Sequence, residues 1–143
     1  GNEVVDIILT EKSLLCHSKN IKLSCMVDAS GLNRIKEGDL YALFGNVLDN
    51  SIEAVSQVED EDKRVIGVNV HTVKKFVSVK IDNYFVGKVN FAADGLPATT
   101  KSDSDYHGYG MRSVQAIVDK YDGTMSIETD NGVFTLSIFF PLK

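Results

Sequence analysis

The chain has 143 residues, 43% of them apolar, and a formal net charge of -5, which suits one domain built on a single core. Its acidic balance, with a sequence pI near 5.1 and no block of Lys or Arg, excludes an electrostatic surface for nucleic acid. No apolar run approaches the ~18 residues of a membrane span, and none has the form of a secretory signal, so no membrane contact is expected of these residues.

In chain order, Val4, Val5, Ile8, Leu15 and Cys16 fall at helical spacing and predict a first helix ending about Lys19. Ile21, Leu23, Cys25 and Val27 alternate, the period of a half-buried strand. Gly31 to Gly38 is a loop. Asp39 then stands where a helix cap belongs, and Leu40, Leu43, Phe44, Val47, Leu48, Ile52 and Val55 recur on one side of the helix it opens. The charged run Glu59 to Lys63 predicts a solvated turn. Ile66, Val68 and Val70 alternate, as do Val77, Val79 and Ile81, which predicts two adjacent strands with His71 at the turn between them.

Periodicity disappears from Tyr84 to His107. About 24 residues without regular pattern inside a compact domain point to a functional or mobile segment, here a lid over residues 84–107. Met111, Val114, Val118 and Tyr121 then form the buried side of a third helix, stopped by Asp122-Gly123. Met125-Ile127 and Phe134-Leu136-Ile138-Phe140 close the chain as a hairpin about Asn131-Gly132, where both residue types tolerate positive φ. Three helices and five strands, mostly in antiparallel hairpins, predict a single α+β domain over residues 1–143. Its form is a two-layer sandwich with the helices on one face of a mixed, mostly antiparallel sheet.

Cys16 lies in a predicted helix and Cys25 in a predicted strand, with neither metal-ligand spacing nor a disulfide-dense pattern, so both read as reduced core thiols of a cytosolic compartment. The opening Gly1-Asn2 lacks an initiator Met, which marks the chain as a piece of something larger.

The most informative segment is Asn46-Val47-Leu48-Asp49-Asn50-Ser51-Ile52-Glu53-Ala54. Helical spacing stacks Asn46, Asn50 and Glu53 on one stripe between apolar residues and turns Asp49 about 100° away. Asn is a mediocre helix former because its side chain competes for backbone hydrogen bonds, so a pair of them one turn apart in an apolar helix carries a propensity cost. Carboxamide oxygens are neutral hard ligands suited to a magnesium ion whose other positions are filled by phosphate and water. The structural alternative is a pair of satisfied, partly exposed amides.

A second segment, Tyr106-His107-Gly108-Tyr109-Gly110-Met111, puts two glycines at the start of the third helix. Backbone N–H groups there are unpaired and carry the positive end of the helix dipole, and glycine lets an anion such as phosphate approach them. Alone, a Gly-x-Gly before a helix is equally a flexible helix entrance.

Together the two segments resemble the N box and the second glycine box of the GHKL ATPases, the superfamily of gyrase B, the ninety-kilodalton heat-shock chaperone, MutL and the sensor histidine kinases. The resemblance covers nearly all of the chain and is nearest to the quorum-sensing kinases related to AgrC, in which a lid like Gly95-Leu96-Pro97-Ala98-Thr99-Thr100-Lys101 runs into His107-Gly108-Tyr109-Gly110-Met111. It implies the Bergerat ATP-binding fold, with ATP and Mg2+ as cofactors, Asn50 as the magnesium ligand and Asn46 in support of metal and phosphates. In gyrase and the chaperone the position of Asn46 is a Glu that acts as general base toward water. Asn in its place argues for phosphoryl transfer over hydrolysis.

The stretch that corresponds to the family's Asp-x-Gly-x-Gly is Val79-Lys80-Ile81-Asp82-Asn83-Tyr84-Phe85-Val86-Gly87, from which most of the glycines are missing. Alternation of Val77, Val79 and Ile81 puts Asn83 on the same face and points Asp82 away, so Asn83 is the adenine candidate. The AgrC-like branch also tends to carry Asn there. The Asn83 carbonyl can accept from the adenine amine as Asp does, without the full charge.

Of the histidines, His17 and His71 read as surface residues, and His107 either bonds the γ-phosphate or serves the structure. Lys101 is a phosphate contact or a solvated loop lysine. None of the three histidines has the acid-flanked helical context of a kinase acceptor. The resemblance therefore implies the catalytic ATP-binding domain of a two-component sensor histidine kinase. Its acceptor histidine lies on a separate dimerisation domain, a response regulator follows downstream, and the whole is a membrane-anchored bacterial sensor with this domain in the cytoplasm. Gly108 and Gly110 hold phosphate oxygens in that reading, and Glu53 or Asp49 orients the incoming ring, the alternative for both, and the favoured one for Asp49, being solvent-facing helix carboxylates. An anti-sigma-factor-type serine kinase and a non-catalytic interaction module on the same fold are the alternatives.

Overall fold

The structure, a computed structural model, describes residues 1–97 and 109–142. Helix α1 (Glu3–Ser18) leads into strand β1 (Lys22–Val27), then helix α2 (Glu37–Ser56), the strand pair β2 (Val65–Val73) and β3 (Phe76–Tyr84), helix α3 (Tyr109–Lys120), and the hairpin β4 (Thr124–Asp130) and β5 (Val133–Pro141). The strands form one sheet in the order β1-β2-β3-β5-β4, with β1 parallel to β2 and every other pair antiparallel. This is the α+β sandwich that the periodicities predict.

Local chemistry fixes the ends of these elements. The Asn2 side chain accepts from the Val5 N–H at 3.1 Å and caps α1. At the other end Asn20 adopts φ 56°, and the Ile21 N–H returns to the Cys16 carbonyl, a left-handed helix stop. α3 stops the same way, with Asp122 at φ 60° and the Gly123 N–H on the Val118 carbonyl. Gly123 is required by close approach: a Cβ there would lie 2.9 Å from the Phe139 carbonyl and 2.9 Å from the Phe140 ring. The β4–β5 turn is Asn131-Gly132 with φ 51° and 77°, as the sequence predicts.

The core lies between the sheet and the helices. Val68, Val70, Val79, Ile81, Leu136, Ile138 and Phe140 from the sheet meet Val5, Ile8, Leu43, Phe44, Val47, Leu48, Val55, Met111, Val114 and Val118 from the helices, all of them buried.

Three expectations change. Asp39 is not the cap of α2, which starts at Glu37 without a side-chain cap; its carboxylate instead accepts from Tyr121 and Lys120. Cys25 is exposed, because β1 is an edge strand and its inward-facing position opens past the flank of α1. β2 continues to Val73, so the turn is Lys74-Lys75 and His71 sits inside the strand, exposed, 2.9 Å from the Asn69 amide oxygen.

Candidate functional site

α2 carries its apolar stripe, Leu40, Leu43, Phe44, Val47, Leu48, Ile52 and Val55, into the core, and this fixes the rotation of the whole helix. Asn46 and Asn50 then fall at the half-buried margin and Glu53 on the exposed side. Asp49 turns the other way, toward α1, where its carboxylate takes the Lys12 ammonium at 2.6 Å. The stripe predicted for Asn46 and Asn50 is therefore separate from the face of Asp49.

The start of α3 comes to this margin. A Cβ placed on Gly110 would lie 3.6 Å from the Asn46 amide oxygen and 3.8 Å from its Cβ, so glycine keeps clear the space between the first turn of α3 and the Asn46 side chain. Two segments more than sixty residues apart thus meet, one with unpaired helical N–H groups and the other with a carboxamide. Gly108, His107 and Lys101 lie outside the described residues.

Asn83 is placed by β3, paired with Ile66 on β2 and with Phe134 on β5. It is 3% exposed, on the helix-facing side of the sheet. Its Nδ2 donates to the Tyr84 carbonyl at 2.9 Å, which sets the orientation of the amide. The Oδ1 is buried and has no partner among the described residues. An unpaired buried acceptor costs about 1 to 3 kcal/mol, so such groups mark places where a donor arrives from outside. Asp82 occupies the opposite face, where its carboxylate covers Gly67; a Cβ on Gly67 would lie 2.8 Å from Asp82 Oδ1.

Phe91 bridges Pro97, the Ala92 N–H bonds the Leu96 carbonyl at 2.7 Å, and Leu96 is buried. Asp94 pairs with Arg112 in the first turns of α3 and accepts from the Leu96 N–H at 3.0 Å. The Leu96 N–H and the Arg112 guanidinium hold the Asp94 carboxyl below the ordinary carboxylate range. This anchor escaped the sequence reading, although an Asp-Gly pair in a polar stretch was a usable turn signal.

The GHKL domain model matches residues 35–141, which includes all of these elements except α1 and β1. Two curated relatives are each named a probable C4-dicarboxylate sensor kinase. The protein from Halalkalibacterium halodurans is 29% identical over 109 residues, 73% of this chain. That from Bacillus subtilis is 28% identical over 112 residues, 76% of this chain. The matched regions are 20% and 21% of those proteins' own lengths. Among solved structures, the nucleotide-free catalytic domain of the histidine kinase ThkA superposes with a TM-score of 0.71 at 16% identity, covering 99% of this chain and 92% of that one. Full-length ShkA in complex with AMPPNP gives 0.70 at 17% identity over 96% of this chain and 29% of that one. The fold is thus that of histidine kinase catalytic domains, and with the family match spanning both the α2 stripe and the α3 start, the chain belongs to the GHKL domain family.

Proposed function

We propose that this chain is the ATP-binding catalytic domain of a two-component sensor histidine kinase, which transfers the γ-phosphoryl group of ATP to a histidine on a separate dimerisation domain. The observation that carries the reading is the buried Asn83 Oδ1 without a partner among the described residues. Its Nδ2 is committed to Tyr84, so what the site offers is an acceptor, which suits the exocyclic amine of adenine and repels the carbonyl of guanine.

The other residues fit the rest of the nucleotide. Asn50 and Asn46 would hold Mg2+ through their amide oxygens. When bound, that ion neutralises charge on the β- and γ-phosphates. Gly110 leaves room for phosphate oxygens at the N–H groups of α3, and Gly108 before it would serve the same phosphates. Residues 84–107 are the lid in this reading, with Lys101 and His107 available to the phosphates. Imidazole attacks without a base to strip it of a proton, so the domain's task is to position and neutralise, with Glu53 on the exposed side of α2 to orient the incoming ring.

The partners are the histidine-bearing domain of the same kinase and a response regulator. In this reading the whole protein is a membrane-anchored sensor with this domain in the cytoplasm; the two relatives are named probable sensor kinases. Among the described residues no helix is long and apolar enough to cross a membrane. The purified chain should bind ATP with magnesium, and radiolabelled ATP should label a separately supplied histidine domain but not the chain itself. No magnesium-dependent binding, or strong acid-labile self-labelling, would overturn the proposal.

A further inference from the structure

The two helices that flank the phosphate cleft run antiparallel. Asn46, in the middle of α2, lies against Gly110 at the start of α3, and Asp39 in the first turn of α2 meets the end of α3. At that far end Asp39 Oδ2 accepts from the Tyr121 hydroxyl at 2.5 Å and from the Lys120 ammonium at 2.9 Å. The Lys36 N–H donates to the same hydroxyl at 3.1 Å. Arg34 Nη2 donates to the Tyr121 carbonyl at 2.9 Å, and its guanidinium stands 5.7 Å from the Tyr121 ring centroid. Tyr121 itself is 8% exposed.

Among the described residues, none of these hydrogen bonds reaches a residue of the cleft. At 1.5 Å per residue it lies roughly 10 Å along α2 from Asn46 and roughly 16 Å along α3 from Gly110. A plain apolar contact would hold two helices together equally well, but it would let one slide along the other. A hydroxyl bonded on two sides has one satisfied position and fixes the register. Both helices are rigid, so a slip at this end moves the α3 N–H groups past Asn46 at the other.

We propose that Asp39 and Tyr121 are positioning residues that set the α2–α3 register and, through it, the width of the phosphate cleft. The inference rests on the nucleotide-site reading above. Because Asn83 is mounted on the sheet, the clamp governs the phosphate end of the site and leaves the base end alone.

Titrations with Mg2+–ADP and with adenosine separate the two ends. Tyr121→Phe, which removes the hydroxyl and keeps the ring, should weaken Mg2+–ADP roughly threefold to tenfold, the scale of a sub-ångström shift where 1 Å costs on the order of 100-fold. Adenosine affinity should not change. Asp39→Asn keeps an acceptor for the hydroxyl and should show a smaller loss in the same direction, which also carries the test if the Phe variant folds poorly. Phe139→Ala, on the face of β5 turned away from the helices, serves as a destabilised control and should bind both ligands as the native chain does. If the native chain fails to bind Mg2+–ADP, the nucleotide-site reading falls and this inference with it. If the native chain binds but Tyr121→Phe matches it, or loses both ligands in equal proportion, the clamp alone is wrong.

Discussion

Replacing Arg64 with Ala should lower the thermal midpoint of this domain by about 10 °C. Its guanidinium donates to five backbone carbonyls: Nε to Asn20 at 3.2 Å, Nη2 to Lys19 at 2.6 Å, and Nη1 to Val55, Ser56 and Val58 at 3.1, 3.3 and 2.9 Å. These carbonyls lie in or just after the last turns of α1 and α2, where intrahelical donors run out and the helix dipole is negative. The bonds to Val55 and Val58 are partly buried and the other three exposed. Each partly buried bond contributes about 1 kcal/mol once water replaces some of the loss, and the exposed three add about 0.5 kcal/mol together. The cation at two helix ends adds roughly 0.3 kcal/mol at each, which brings the total to about 3 kcal/mol. At about 2.1 cal/mol/K per residue, the 143 residues unfold with an entropy near 0.3 kcal/mol/K, so the midpoint moves by about 10 °C. Arg64→Lys keeps the charge but loses the planar fork, and should recover only about a third of the loss. Scanning calorimetry of the three proteins decides it. An Ala variant within about 3 °C of the native midpoint, or full recovery by Lys, would refute the idea that one guanidinium staples two helix ends.

Asn50→Ala should abolish magnesium-dependent nucleotide binding in a calorimetric titration while Asp49→Ala leaves it nearly intact; equal effects would mean that the amide stripe is not the metal face. Asn83→Ala should reduce the preference for ATP over GTP in competition binding, and an unchanged preference would move the adenine contact elsewhere. The Tyr121 hydroxyl and the Lys120 ammonium hold the Asp39 carboxyl below the ordinary carboxylate range. The stability its charged form contributes is therefore present above that range and lost as pH falls through the lowered value. Asp39→Asn should cost most near neutrality and progressively less in acid, and a penalty in melting experiments that ignores pH would contradict this assignment. Gly123→Ala should destabilise by about 1 to 3 kcal/mol in urea unfolding, since its methyl would press on the Phe139 carbonyl and the Phe140 ring; a neutral result would show that the turn yields.

Apolar spacing made α2, α3 and β3 legible, because burial selects the same residue types at every turn or alternate position. The same logic placed Asn83 inward and Asp82 outward, as found. What spacing does not record is the identity of a polar partner. Asp39 stood where a cap belongs, but capping and tertiary acceptance ask for the same carboxylate, and only the fold shows that Tyr121 arrives. Arg64 was hidden more completely. Its partners are backbone carbonyls, which every residue has, and it closes a charged run whose other members, Glu59 to Lys63, are exposed as expected. Lys74-Lys75 forms a tight turn with Lys74 at φ 55° although neither residue is a turn former, so the β2–β3 boundary was misplaced by three residues.

The order of strands also bears on how the domain comes together in time. The β2–β3 and β4–β5 hairpins close over two residues each and can form within microseconds. The β3–β5 ladder must join Tyr84 to Val133 across almost fifty residues, and β1 must find β2 across nearly forty, so loop closure delays both. Asn83 lies in the β3–β5 ladder, opposite Phe134. If Asn83 takes the base as proposed, a half-folded chain with both hairpins in place has no base pocket, and nucleotide recognition would appear only when the centre of the sheet has closed.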